Sequence, residues 1–225
     1  MRWILPEGVT TYAGSIDRIY YLILIITVLA FLIVEIALIV FLVRYRARPG
    51  RRAHYTHGNT RIEVVWTVIP AAVILLIGVM SGRVWGQIKG RNTMPADALT
   101  IGVMARQFEW NITYPGGDGR LGTADDFMVR NQLHIPAGRP VVLMLEAEDA
   151  IHSFFVPEFR VKQDAVPGMR IPVWFEVTTP GEYEIACAEL CGIGHYRMRG
   201  IVTVHSASDY DEWLAQAGRP LDDAP

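Results

Sequence analysis

The segment Cys187–Met198 concentrates side chains that bind soft metal ions. Within 12 residues it holds the thiols of Cys187 and Cys191, the imidazole of His195 and the thioether of Met198. Thiolate, imidazole and thioether together are the ligand set of copper electron-transfer sites. The glycines between them indicate a loop, so the sequence predicts a copper site on a loop between two strands.

The second cysteine decides which kind of copper site is predicted. One cysteine, two histidines and a weak methionine would give a mononuclear site. Two thiolates four positions apart can each bridge the same two metals, which predicts a binuclear centre. Such a centre needs a second histidine, and His152 is the best candidate because it begins an apolar run 35 residues before Cys187.

Two other interpretations of the cysteines stay open. A Cys187–Cys191 disulfide could form on an extracytoplasmic face, but it leaves His195 and Met198 unexplained. A tetrahedral zinc site could use both cysteines with His195 and His152, but zinc has no use for the thioether. Four further histidines are interpreted as loop or strand residues rather than ligands: His54, His57, His134 and His205.

The part of the chain that must hold this site has the pattern of an all-β domain. Short β-rich runs separated by Pro-Gly turns indicate a sandwich or a Greek-key barrel. A capping box at Ser208 predicts a short terminal helix through Gln216. The predicted strands are Ala98–Met104, Phe108–Tyr114, Asn131–Ile135, Val141–Ala147, His152–Val156, Ile171–Val177, Glu182–Ala186 and Ile201–Val204.

The first 90 residues have the pattern of a membrane hairpin. The runs 19–43 and 63–81 reach ~37 Å and ~28 Å as helices, and two such apolar lengths favour membrane spans over core helices. The loop between them carries six arginines and no acid, which predicts that it is cytoplasmic and that both chain ends lie on the opposite face. Glu35 falls inside the first span, where a carboxylate is expected to be protonated or paired with another subunit.

Charge and composition agree with this division of the chain. Residues 1–90 carry a net charge of +6 and residues 91–225 a net charge of −8. Hydrophobic residues at 51% with charged residues at 20% exclude a disordered chain and a purely polytopic membrane protein, and two cysteines exclude a disulfide scaffold. The predicted domains are a helical hairpin over 1–90, with helices at about 17–44 and 62–84, and an extracytoplasmic β domain with a short terminal helix over 91–225.

A family resemblance rests on these same residues. The block C-x-E-x-C-G-x-x-H-x-x-M at 187–198 resembles the CuA motif of cytochrome c oxidase subunit II. The segment 63–70 resembles the start of that family's second helix, and 149–153 with 162–168 resembles the segment that supplies its first copper histidine. The fold implied by the resemblance is a two-helix transmembrane hairpin followed by an all-β, cupredoxin-like Greek-key barrel.

The resemblance also implies roles for the site residues. Cys187 and Cys191 would bridge two coppers, and His152 and His195 would each cap one of them. Met198 and the backbone carbonyl of Glu189 would be weak axial ligands. The Glu189 carboxylate would reach a magnesium ion at the boundary with subunit I.

The implied activity is that of the electron-entry subunit of a proton-pumping oxidase. A periplasmic cytochrome c-type donor would deliver electrons, which pass to haem in subunit I, where oxygen is reduced to water. Subunit III is a further expected partner and no nucleic acid is expected. The bacterial-type inner membrane is the expected location, with the N-terminus and the β domain periplasmic. This chain lacks C-x-x-C-H, so no haem of its own is expected.

Two further residues acquire roles through the resemblance, one of them with a departure. Glu63 matches the glutamate at the entrance of the K proton channel. The family's aromatic electron-entry stretch usually begins with tryptophan, whereas this chain has Phe108 there and Trp110 two residues later. A role in electron entry and a role in core packing both stay open for these two aromatics, and the substitution leaves the donor open.

Other readings remain. A copper-free quinol-oxidase-type subunit and a membrane-anchored copper carrier are the alternative functions, and the length excludes the extra catalytic domain of a nitrous-oxide reductase. The loop 118–126 holds three aspartates that could bind calcium or extend an acidic docking surface, although its spacing is not that of an EF-hand and favours a solvated hairpin loop.

Overall fold

The computed structural model describes residues 5–90 and 93–217, which form two compact units. One unit is helical and covers Ser15–Lys89. The other is the β unit, which combines residues 5–14 with Gly90 and residues 93–217. The predicted fold class, two apolar helices followed by an all-β domain, is confirmed.

The helical unit consists of α1 (Ala13–Tyr45) and α2 (Thr60–Lys89). Both are long and apolar enough to cross a membrane. Their large apolar side chains are exposed, with Ile33 at 69% and Leu75 at 70%. Helix α2 is capped at its start by Asn59, whose Oδ1 accepts hydrogen bonds from the backbone N–H groups of Arg61 and Ile62. Apolar surface of this extent outside a core fits a lipid environment.

The β unit contains two five-stranded sheets. The first has the order β3-β2-β1-β5-β8 and the second the order β4-β10-β9-β6-β7. Pairs β1–β5 and β4–β10 are parallel and the other pairs are antiparallel. The strands are β1 (Leu99–Arg106), β2 (Glu109–Tyr114), β3 (Phe127–Arg130), β4 (Gln132–Pro136), β5 (Pro140–Ala147), β6 (His152–Val156), β7 (Val161–Ala165), β8 (Ile171–Glu176), β9 (Gly181–Cys187) and β10 (Arg199–His205).

A single hydrophobic core lies between the two sheets. Alternate residues of each strand point inward, as for Ile101 and Val103 in β1 and Val202 and Val204 in β10. The two cysteines and Met198 belong to the same buried cluster. The side chains predicted to bind metal are therefore held by the packing that stabilises the sandwich.

The chain before α1 packs on the β unit, which the sequence did not indicate. Thr10 forms a β-bridge with Val177, and the Thr10 hydroxyl donates to the Phe159 carbonyl at 3.0 Å. Val9 is 5% exposed, and the Tyr12 hydroxyl donates to the Trp174 carbonyl at 3.2 Å. The described residues up to Gly14 thus group with the β unit, whereas the sequence placed residues 1–90 together.

The terminal helix α3 (Ala207–Ala217) begins earlier than its predicted capping box. Ser206, and not Ser208, provides the cap: its Oγ accepts a hydrogen bond from the Asp209 backbone N–H at 3.3 Å. The prediction at Ser208 was wrong by two positions because both serines precede an acidic residue at the same spacing.

Trp213 on α3 covers a pair of histidines. His134 Nδ1 lies 2.8 Å from His205 Nε2, and the Trp213 ring stacks on His134 at 4.2 Å and 13°. Burial, and next the nearby His205, lower the pKa of His134 to about 4. Both histidines lie on strands, as the sequence predicted, and they serve to dock α3.

The aspartate loop 118–126 connects β2 to β3. Its carboxylates accept hydrogen bonds from the loop itself, for example Asp118 from the Arg120 N–H at 2.8 Å and Asp126 from the Gly122 N–H at 2.7 Å. The hydrogen bond from Thr123, followed by that from the Asp118 N–H, keeps the pKa of Asp125 below its usual value. The segment is therefore a solvated hairpin loop that its own side chains stabilise.

Candidate metal centre

The loop between β9 and β10 carries four of the predicted ligands. Cys187 is the last residue of β9, and Cys191 follows in the loop. His195 begins a short 3₁₀ helix, and Met198 follows that helix directly before β10. Since β9 and β10 are paired, both ends of this short loop are fixed to one sheet.

His152 reaches the same place from β6, the neighbour of β9. Phe154 pairs with Cys187 across these strands, and His152 lies two residues before Phe154. Side chains two residues apart point to the same face of a strand. The antiparallel pairing therefore brings His152 to the cysteines although 35 residues separate them.

The sulfur and nitrogen atoms of these five side chains converge. The ligand atoms of His152, Cys187 and Cys191 all lie within 4.8 Å of one another. The individual separations are 3.8 Å for Cys187 Sγ to Cys191 Sγ, 3.6 Å for Cys191 Sγ to His195 Nδ1, 3.7 Å for Cys191 Sγ to Met198 Sδ, 4.0 Å for Cys187 Sγ to His152 Nδ1 and 3.1 Å for His152 Nδ1 to Met198 Sδ.

The three separations from Cys191 Sγ, of 3.6–3.8 Å, fit a shared metal centre. Metal–sulfur bonds of about 2.3 Å and metal–nitrogen bonds of about 2.0 Å in tetrahedral geometry hold ligand atoms roughly 3.5–3.8 Å apart. Both cysteines are free thiols in this structure, so the disulfide interpretation does not describe it. The Met198 sulfur lies among the ligand atoms, and the residue is 2% exposed, which a four-ligand zinc site would not require.

The backbone carbonyl of Glu189 also faces the site. It lies 3.2 Å from Cys187 Sγ, which donates a hydrogen bond to it. The carboxylate of the same residue is on an exposed position of the loop. Backbone and side chain of Glu189 thus have separate surroundings, one beside the thiols and one toward solvent.

Burial disfavours the ionised form of the two cysteines unless a cation lies beside them. His152 is fully buried, Cys187 is 9% exposed and Cys191 is 3% exposed. Burial, followed by the proximity of Cys187, raises the pKa of the Cys191 thiol to about 11. A metal ion supplies the positive charge that two adjacent buried thiolates need, and its binding displaces their protons.

Two residues that support the site, Asp149 and Gln107, were not predicted from the sequence. Asp149 Oδ1 lies 2.8 Å from His152 Nε2, so the nitrogen facing the cluster is Nδ1. The other Asp149 oxygen accepts a hydrogen bond from the Gln107 backbone N–H at 2.8 Å. A carboxylate that holds the second nitrogen of a ligand histidine is usual in metal sites, and the D-x-x-H spacing at 149–152 was the available signal.

The two aromatic candidates lie at different depths. Phe108 is half-buried and packs on the loop 188–198, here called the metal loop, so closely that a Cβ at Gly194 would overlap Phe108 Cδ2. Trp110 is fully buried, and its ring contacts the rings of His152 and Phe154 edge-on at 6.3 Å and 5.6 Å. Phe108 thus faces the loop from outside, and Trp110 packs beneath a ligand.

Glu63 belongs to the helical unit and is exposed in the first turn of α2. Its backbone N–H donates to the Asn59 carbonyl at 3.0 Å, and its carbonyl accepts a hydrogen bond from the Thr67 hydroxyl at 2.8 Å. A carboxylate at a helix N-terminus is stabilised by the helix dipole. Its predicted role at a proton-channel entrance stays a prediction.

Comparison with known proteins identifies the family. The profile of the cytochrome c oxidase subunit II periplasmic domain matches residues 99–205, and that of its transmembrane domain matches residues 1–84. The alternative cytochrome c oxidase subunit 2 of Bradyrhizobium diazoefficiens is 36% identical, over 95% of this chain and 83% of the relative. The cytochrome c oxidase subunit 2 of Thermostichus vulcanus is 32% identical, over 95% of this chain and 78% of the relative.

A solved structure is also similar. The crystal structure of the periplasmic domain of subunit II of cytochrome oxidase from Bradyrhizobium japonicum aligns with a TM-score of 0.49 at 26% identity, covering 55% of this chain and 96% of that one. The sequence matches span both the helical and the β unit. The chain is therefore a membrane-anchored member of the cytochrome c oxidase subunit II family, and so belongs to an oxidoreductase complex.

Proposed function

We propose that this chain is the electron-entry subunit of its oxidase and that the cluster around Cys187 and Cys191 holds two copper ions. The single observation that carries the proposal is the convergence of five soft ligand side chains, with both cysteines free and buried. When bound, such a dicopper group would supply one-electron transfer between an external donor and haem in subunit I.

The chain's own residues fix the ligands before any metal binds. The thiols of Cys187 and Cys191 and the imidazoles of His152 and His195 would hold the two coppers. The Met198 thioether and the Glu189 carbonyl would be weaker ligands. Because strands β6, β9 and β10 anchor these residues in the core, the ligand positions change little between oxidation states, which favours rapid electron transfer.

Electron entry is assigned to the face that carries Phe108. Its ring lies against the metal loop, and Arg197 lies over it at 5.8 Å. The net charge of −8 on residues 91–225 would steer a basic donor, which suits a cytochrome c-type protein. Trp110 is placed under His152, where it packs the site from within.

The remaining assignments concern other subunits. The exposed Glu189 carboxylate is assigned to a magnesium ion at the boundary with subunit I. Glu63 is assigned to the entrance of a proton path, since an acid near the cytoplasmic end of α2 can collect protons without crossing lipid. Subunit III is included among the partners on the resemblance alone.

The arginine-rich loop sets the proposed orientation. Four arginines between α1 and α2, with Arg44 and Arg61 at the adjoining helix ends, favour the cytoplasmic face, which puts both ends of the hairpin on the periplasmic face of the inner membrane. The packing of Val9 and Thr10 on the β unit agrees, because the chain before α1 and the chain after α2 then share one side.

The test uses the full-length chain purified in detergent and loaded with copper. The expected result is two coppers per chain and a paramagnetic resonance spectrum with hyperfine structure from one electron shared equally by two nuclei. One copper with ordinary mononuclear splitting would contradict the binuclear assignment. Absence of copper binding would favour the quinol-oxidase-type alternative.

Partner dependence separates the oxidase subunit from the copper carrier. The oxidase subunit should co-purify with a haem-bearing membrane subunit and pass electrons to it, whereas a carrier would be competent alone. Isolation of the chain from its native membrane, with haem analysis of the purified complex, decides between them.

A further inference from the structure

We propose that Gln107 is a positioning residue that ties together the two segments bearing the copper ligands. The inference rests on the proposed copper function. Gln107 lies in the turn between β1 and β2, which supplies no ligand itself. It contacts one ligand-bearing segment through its side chain and the other through its backbone.

The side-chain contact is to the metal loop. Gln107 Nε2 donates a hydrogen bond to the backbone carbonyl of Cys191 at 2.5 Å. The Cys191 sulfur lies 3.6 Å from His195 Nδ1 and 3.7 Å from Met198 Sδ. Because the carbonyl and the side chain belong to one residue, fixing the carbonyl restricts where this sulfur can lie relative to the other two ligands.

The backbone contact is to the segment that carries the first histidine. The Gln107 N–H donates to Asp149 Oδ2 at 2.8 Å, and Asp149 Oδ1 lies 2.8 Å from His152 Nε2. A continuous path of hydrogen bonds thus runs from His152 through Asp149 and Gln107 to Cys191. The path therefore restricts the distance between His152, at the start of β6, and Cys191, in the metal loop.

The metal loop leaves room for this amide at one position. A Cβ on Gly192 would lie 2.7 Å from Gln107 Nε2 and 3.3 Å from Phe108 Cε1. Gly192 has φ of +134°, a backbone conformation that side chains disfavour. Glycine at 192 therefore serves both the loop conformation and the approach of Gln107.

The test compares Gln107→Met with the native chain, both full-length, in detergent and loaded with copper. Methionine keeps the length of the side chain and removes the donor, while the backbone bond to Asp149 remains. Loss of copper to a chelator should become about 10-fold faster, and the hyperfine splitting should change. Gln132→Met, an exposed glutamine at the start of β4, is the matched control and should behave as the native chain.

Gly192→Ala offers a second approach, since it displaces the same amide without altering Gln107, and it should also speed copper loss. Unaltered copper loss and hyperfine splitting in Gln107→Met would overturn the inference. The inference would also be overturned if, measured without copper, Gln107→Met unfolds more easily than the native chain or fails to fold, because Gln107 would then have a structural role. A native chain that binds no copper pair would instead contradict the proposed function.

Discussion

Ile74 in α2 and Ile101 in β1 are the same residue type in opposite surroundings. Ile74 is 70% exposed and Ile101 is fully buried. In the helical unit, backbone hydrogen bonds are satisfied within each helix and the apolar side chains are left for lipid. In the β unit, apolar side chains from both sheets fill one core, and the ligands lie in it. The helical unit is therefore defined by local sequence, and the β unit by contacts between distant residues.

The largest expected effect is the loss of the copper site in a variant whose helices still insert into the membrane. Replacing a bridging thiol, Cys191→Ser, should abolish the binuclear spectrum, because a hydroxyl cannot replace a bridging thiolate. The helical unit holds none of the ligands, so membrane insertion should be unchanged. Copper analysis and paramagnetic resonance on the membrane-extracted chain measure the first effect, and membrane fractionation measures the second. Failure of insertion would contradict the separation of the two units.

A matched pair of truncations tests the difference in packing. Ile101→Ala should reduce the free energy of unfolding of the β unit by about 2–5 kcal/mol, since it leaves a cavity in the core. Ile74→Ala should cost only about 0.5 kcal/mol, because lipid fills the space. Urea unfolding followed by tryptophan fluorescence measures the first variant, and the membrane-inserted fraction measures the second.

A charged side chain at position 74 should have a much larger effect on membrane insertion than alanine has. Ile74→Lys should cost about 3 kcal/mol of insertion free energy near the middle of the span. Normal insertion of Ile74→Lys would show that this face of α2 is not in contact with lipid hydrocarbon.

Acid should weaken the β unit through the histidine pair. His134 has a pKa of about 4 in the folded chain against an ordinary value of about 6.5, so the unfolded chain binds more protons between these values. Stability due to the neutral imidazole is complete above about pH 6.5 and is lost as the pH falls toward 4. Thermal unfolding at pH 7.5 and pH 5 should show a smaller difference for His134→Gln than for the native chain. His54→Gln, in the exposed loop between the helices, should keep the native difference.

The smallest expected effect concerns the segment before α1. Tyr12→Phe removes the hydrogen bond from the hydroxyl to the Trp174 carbonyl and should cost about 1 kcal/mol of unfolding free energy in the β unit. Tyr20→Phe, in the exposed part of α1, is the control and should leave the β unit unchanged. Equal unfolding midpoints for Tyr12→Phe and the native chain would show that this contact contributes nothing to the β unit.

Most strands could be predicted because burial leaves a pattern. Eight of the ten strands lie where alternation and turn residues placed them, within two residues at each end. The two that were missed, β3 and β7, each lie at one edge of a sheet, whereas the opposite edges, β4 and β8, keep an alternation of buried apolar residues and were predicted. In β7, Val161–Ala165, only the two end residues are buried, and the middle is Lys-Gln-Asp. An edge strand is held by backbone hydrogen bonds to one neighbour, which leave little trace in side-chain type.

The proximity of the candidate metal ligands was accessible to sequence reasoning for a different reason. Four of them, from Cys187 to Met198, lie in one loop, so their spacing alone brings them close. His152 was the harder assignment, and its place follows from the β6–β9 pairing. Asp149 had a local signal in its D-x-x-H spacing to His152, although it was not predicted. Gln107 could not be assigned, because a glutamine in a separate turn has no local property that marks it as a partner of a ligand.

The sequence by itself determined the two apolar spans, the charge difference between the halves and the soft ligand set, because each depends on residue type and short spacing. The tertiary structure alone decided that the residues before α1 join the β unit, that His134 and His205 pair beneath Trp213, and that Gln107 and Asp149 link His152 to Cys191. The long-range contacts among these include residues 42 and 162 positions apart. Only the pairing of strands into two packed sheets brings such residues within hydrogen-bond distance.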